Sequence, residues 1–85
     1  MGNPNKTRAA VEKVVSAVLR DAGRDVPQFT EGALLSNQLK LDSLDFALVV
    51  VNLERELGVD PFRTSAPRVR TFGELVELYE KASSS

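Results

Sequence analysis

The sequence predicts a small all-α protein, a bundle of three to four helices with a long first loop and a short third helix. Two stretches with apolar residues at helical spacing, one near each end, carry part of that prediction. The rest comes from a central apolar run that leucines continue at the same spacing. A chain of 85 residues allows one domain with a small core, and 42% hydrophobic with 27% charged residues is the balance of a globular chain rather than a disordered one.

Asn3 followed by Pro4 reads as a helix start, because proline suits the first helical position. Val11, Val14, Val15, Val18, Leu19 and Ala22 then form one stripe, with Lys13 and Arg20 on the polar side and Gly23 as a stop, giving a first helix over 5–22. From Gly23 to Leu41 the periodicity dissolves among Pro27, Gly32, Ser36 and Asn37. Phe29, Leu34, Leu35 and Leu39 still need burial, so this loop is expected to be pinned across the core.

Asp42 to Gly58 is open to two readings. By β-propensity, Phe46-Ala47-Leu48-Val49-Val50-Val51 is a buried strand. A helix is favoured by Asp42 as a cap with Asp45 in the first turn, by the continuation through Leu53 and Leu57 to Gly58, and by a length unusual for a strand. Phe46, Val49, Val50, Leu53 and Leu57 would be its buried stripe. Asp60-Pro61 can open a single helical turn, limited by Pro67. Thr71 and Glu74 stand at capping-box spacing before Phe72, Leu75, Val76 and Tyr79, which predicts a last helix over 72–82. The domain is thus 6–82, with flexible ends at 1–5 and 83–85.

Composition narrows the chemistry. With no cysteine and no histidine the chain has no thiol nucleophile, thiolate metal site or imidazole base, so a non-catalytic role is expected. A formal net charge of -1 gives no pull toward nucleic acid, and the longest apolar run, Phe46 to Val51, is far too short to span a membrane. Met1-Gly2 hints at myristoylation, but Lys6 stands where Ser or Thr is needed. Asp42 and Asp45 could form a carboxylate pair, although acids at a helix N-terminus need no further role. Arg63, Arg68 and Arg70 make a basic run without interleaved aromatics, as a solvated surface does.

Charge is nonetheless segregated. Residues 41–62 carry five acids, Asp42, Asp45, Glu54, Glu56 and Asp60, against the single base Arg55, a pattern suited to docking on a basic partner. A second stripe on the central helix, Leu44, Leu48, Val51 and Arg55, is either core in a sandwiched helix or an exposed contact patch. Ser43, at the mouth of that helix, is either a capping residue or a hydroxyl placed to carry a phosphate group at a positive helix end.

Leu41-Asp42-Ser43-Leu44-Asp45-Phe46, followed by an apolar helix ending Leu53-Glu54-Arg55-Glu56-Leu57-Gly58, resembles the acyl carrier protein family, marked by Asp-Ser-Leu at the start of its second helix. The resemblance covers residues 6–82 and extends to the long first loop, the central serine and the small third helix. It implies a phosphoprotein in which Ser43, beside Asp42, receives 4′-phosphopantetheine from coenzyme A through a separate phosphopantetheinyl transferase. The arm's thiol would carry acyl groups as thioesters to acyl-transferring, condensing or acyl-activating enzymes of fatty-acid, polyketide or related specialised biosynthesis. Leu44, Asp45, Val51 and Glu54 would be docking residues, and the protein would be a cytoplasmic monomer without nucleic-acid partners. The family usually has glycine where this chain has Lys40, and often an acid where it has Gln38; carriers of fatty-acid synthesis often have Glu where it has Leu48. These departures point as much to polyketide, peptide or unusual lipid assembly as to general fatty-acid synthesis. The alternatives are a peptidyl or aminoacyl carrier of non-ribosomal peptide type, an unmodified helical interaction module, and a nucleic-acid-binding bundle using Arg63, Arg68 and Arg70.

Overall fold

The computed structural model describes residues 4–37, 39–62 and 68–84. Among them are three helices: α1 (Pro4–Asp21), α2 (Ser43–Leu57) and α3 (Phe72–Ser84). α1 packs against both other helices.

The α1 stripe buries Val11, Val14, Val15, Val18 and Leu19, while Lys13 and Arg20 face outward. The helix ends in a Schellman closure. Gly23 takes φ 76°, its N–H donates to the Arg20 carbonyl at 2.9 Å, and the Arg24 N–H donates to the Leu19 carbonyl at 2.9 Å. Ala22, which spacing assigned to the stripe, lies just past the helix end and is exposed.

The valine-rich run is a helix. Asp42 caps it, accepting the Asp45 N–H at 2.8 Å, and Gly58 ends it at φ 73° with its N–H on the Glu54 carbonyl at 2.8 Å. Val49 and Leu53 are fully buried, and Phe46, Val50 and Leu57 are partly so. The tenths of a kcal/mol that valine costs a helix are outweighed by the roughly 1.5–3 kcal/mol gained on burying each apolar side chain. Lys13 pairs with Glu56 at 3.1 Å across α1 and α2.

The capping box of α3 is complete: the Glu74 N–H donates to Thr71 Oγ1 at 3.2 Å, and Glu74 Oε1 accepts the Arg70 and Thr71 N–H groups at 2.9 and 3.0 Å. Those two backbone donors, Arg70's first, hold the Glu74 carboxyl below its ordinary range. Phe72, Leu75, Val76 and Tyr79 are buried. The helix continues to Ser84, two residues beyond the expected 82.

Between α1 and α2 the described residues cross the core without helical structure. Ala33, Leu35, Leu39 and Leu41 are buried, Leu34 and Phe29 half-buried, and Phe29 stacks on Phe72 with centroids 4.9 Å apart. An isolated antiparallel bridge joins Leu34 to Thr71. Around it the Leu35 N–H donates to the Arg70 carbonyl at 2.9 Å, the Phe72 N–H to the Ala33 carbonyl at 2.8 Å, and the Gly73 N–H to the Glu31 carbonyl at 3.0 Å. A Cβ on Gly73 would stand 2.9 Å from that Glu31 oxygen, so the close approach requires glycine. After α2, Asp60 Oδ1 accepts the Phe62 N–H at 3.1 Å in a turn. The rest of the helical turn expected there, with Arg63 and Pro67, falls on residues outside those described, as does Gln38.

Candidate functional site

The candidate site is the N-terminus of α2. Capping there is done by the Asp42 carboxylate, so Ser43 occupies the first helical position, exposed, and its hydroxyl has no hydrogen-bond partner among the described residues. Of the two roles open to Ser43, the cap belongs to its neighbour. Asp42 and Asp45 do not form a carboxylate pair either: one carboxylate is spent on the other residue's N–H, and the second turns inward. Among the described residues no cluster of acids could hold a metal ion.

Beside Ser43 opens a cleft of about 470 Å³ whose walls include Leu34, Leu41, Phe46 and Val69, with Asp42 and Arg70 also lining it. Aromatic rings connect it to the core: Phe46 meets Phe62 edge-on at 5.6 Å, and Phe62 lies 6.4 Å from Tyr79. The Tyr79 hydroxyl is buried without a partner among the described residues; burial, with Asp60 and Glu54 adding, raises its pKa well above the ordinary phenol value.

The second stripe of α2 is exposed. Leu44, Leu48 and Val51 are 71%, 46% and 49% accessible, on the side away from Val49 and Leu53. Glu54 and Arg55 are exposed as well, so Leu44, Val51 and Glu54 share an accessible face. Asp45 does not join them. It lies about 100° round the helix from Leu44, which turns it inward to 9% exposure, with Oδ2 3.5 Å from Arg24 Nη1. Arg68 and Arg70 are exposed, and Arg70 lies along the cleft. No described helix is long and apolar enough to cross a membrane.

Two features escaped the sequence. Lys40 takes φ 55°, the one positive value among the described non-glycine residues, and its carbonyl accepts a hydrogen bond from the Arg24 guanidinium. The conformation accounts for glycine at this place in the family pattern, since side chains disfavour the left-handed region. Lysine in a glycine place was a visible signal of it. Arg24 had none beyond its position after Gly23.

No protein-family profile matches the chain. Over 73 residues it is 34% identical to the acyl carrier protein of Sinorhizobium fredii (strain NBRC 101917 / NGR234), an alignment covering 86% of this chain and 94% of that protein.

Proposed function

The chain belongs to the acyl carrier protein family, and on that premise we propose that it carries acyl groups as thioesters on a 4′-phosphopantetheine arm joined to Ser43. The observation that carries this reading is the division of labour at the start of α2: Asp42 caps the helix and leaves the Ser43 hydroxyl exposed and unbonded among the described residues. A phosphodiester there would face the unpaired N–H groups and positive end of the helix dipole. The neighbouring apolar cleft suits the uncharged reach of an arm and its cargo. When bound, the arm supplies the thiol that this cysteine-free chain lacks.

In the loading reaction Ser43 Oγ forms a bond to the phosphorus that bears the pantetheine, and the pyrophosphate P–O bond of coenzyme A breaks. Adenosine 3′,5′-bisphosphate leaves, and the hydroxyl proton passes to a base on the transferase. The chain itself contributes the exposed nucleophile and its surroundings, not the catalysis.

The partner face is proposed to be Leu44, Leu48 and Val51 with Glu54. It suits an enzyme offering an apolar strip beside basic groups, of the acyl-transferring, condensing or acyl-activating kind found in fatty-acid, polyketide or related biosynthesis. Apolar Leu48 at its centre favours a specialised pathway, because less of this face is devoted to charge.

Incubation with coenzyme A and a promiscuous phosphopantetheinyl transferase, read by intact mass, tests the attachment. The protein should gain one arm and Ser43→Ala none. Because Asp42 retains the cap, Ser43→Ala should cost well below the ~1 kcal/mol of a lost cap and leave the circular dichroism melt nearly unchanged. Modification of the Ser43→Ala variant would sink the assignment.

A further inference from the structure

We propose that Arg24 is a positioning residue for the attachment serine, clamping both ends of the Lys40–Asp45 segment to the end of α1. The inference rests on Ser43 as the attachment site and names the device that presents it.

Arg24 starts from a fixed point. Its N–H closes α1 on the Leu19 carbonyl at 2.9 Å, directly after Gly23 at φ 76°. From there its side chain reaches the start of α2. Nη1 donates to the Lys40 carbonyl and lies 3.5 Å from Asp45 Oδ2. Ser43 sits between those two anchors.

Each anchor is a group in need of a partner. Lys40 holds a left-handed φ of 55°, which a lysine keeps only where its surroundings over-determine it. The Arg24 bond supplies one constraint; the Leu39 and Leu41 N–H groups, on the Leu34 and Leu35 carbonyls at 3.1 and 2.9 Å, supply others. Asp45 Oδ2 is buried and has no hydrogen-bond partner among the described residues, so the Arg24 guanidinium is its compensating charge there. The Asp45 N–H in turn donates to Asp42 Oδ1 at 2.8 Å, which joins the clamp to the helix cap. A planar, permanently charged guanidinium suits a bridge between a carbonyl and a carboxylate.

Removal of the clamp leaves a first turn that still has its cap but no fixed attitude on α1. A transferase that accepts one attitude then meets a fraction of the molecules. Its apparent KM rises by the inverse of that fraction, while kcat in the assembled complex is kept.

The test uses the full apo chain as wild type, Arg24→Ala and Arg24→Lys, with saturating coenzyme A and a promiscuous transferase. Amide hydrogen exchange is followed in parallel. For Arg24→Ala, KM for the carrier should rise about tenfold with kcat little changed. Exchange should quicken at the Asp45 and Phe46 amides, which bond to Asp42, but not at Val15 or Leu75 in the core of α1 and α3. Arg24→Lys, which restores a cation beside Asp45, should recover most of the KM. Unchanged KM and exchange in Arg24→Ala would overturn the proposal, and so would exchange quickened equally throughout, the mark of general destabilisation. A wild-type chain that takes no arm would instead defeat the Ser43 reading, and the exchange comparison alone would then decide the clamp.

Discussion

The two faces of α2 make opposite forecasts for two neighbouring substitutions. Leu53 is fully buried, so Leu53→Ala removes its packing and opens a cavity, at a cost of about 3 kcal/mol. In a domain of this size that lowers the melting temperature by about 12–24 °C. Val51 is 49% exposed, so truncation to alanine forfeits about half of the ~1.6 kcal/mol that two buried methylenes represent. Alanine's better helix propensity returns about 0.5 kcal/mol, and the net change is a few tenths. The exposed half of Val51 becomes buried only against a partner. There its loss should weaken association by about 1 kcal/mol, or about fivefold in the transferase's KM for the apo carrier, with kcat preserved. Circular dichroism melts and initial rates of phosphopantetheinylation measure both quantities on the same samples. If Val51→Ala melts as low as Leu53→Ala, the outer strip is core and the reasoning fails. If its KM is unchanged, the strip is not where that enzyme binds.

Tyr79→Phe should raise the melting temperature by about 4–8 °C, because the buried hydroxyl has no partner among the described residues and its removal relieves about 1 kcal/mol of desolvation. A lower melting temperature would mean the hydroxyl is satisfied in solution. Glu74 has a folded-state pKa below its ordinary 4.5, so its charge stabilises the fold above that value and the contribution is lost as pH falls through the depressed pKa. The difference in melting temperature between wild type and Glu74→Gln, measured from about pH 7 to about pH 3, should therefore shrink toward acid pH. A constant difference would assign the effect to hydrogen-bond geometry alone.

Legibility in the sequence followed the range of the interactions. Helix α3 was readable because its signals are local: Thr71 and Glu74 three apart, then apolar residues at helical spacing. Helix α2 was readable despite its valines because Leu53, Leu57 and Gly58 carry the pattern beyond any ordinary strand. What periodicity could not decide was which side of α2 has neighbours. Leu44, Leu48 and Val51 repeat as regularly as the buried stripe, and their exposure depends on α1 covering the other side. The inward turn of Asp45, expected among the docking residues, was hidden for the same reason: it answers to Arg24, a partner from another segment. Ser43 stood out in sequence, yet its freedom from capping depends on whether it or Asp42 accepts the Asp45 N–H, a matter of one rotamer.

The bridge between Leu34 and Thr71 bears on the order in which the molecule can assemble. The loop that walls the cleft finds its backbone partners in Arg70, Phe72 and Gly73, late in the chain. In chain order α1, the Asp-Ser-Leu segment and α2 all precede those partners, and the two helices can form from local contacts alone. Closing so long a span must also follow the local helices, since its entropy is lost before any contact rewards it. The Ser43 hydroxyl is thus present early, whereas the Leu34 and Val69 sides of its cleft are built last. A partly folded chain offers the serine without the surface around it, and an enzyme that reads both would distinguish a finished carrier from an unfinished one.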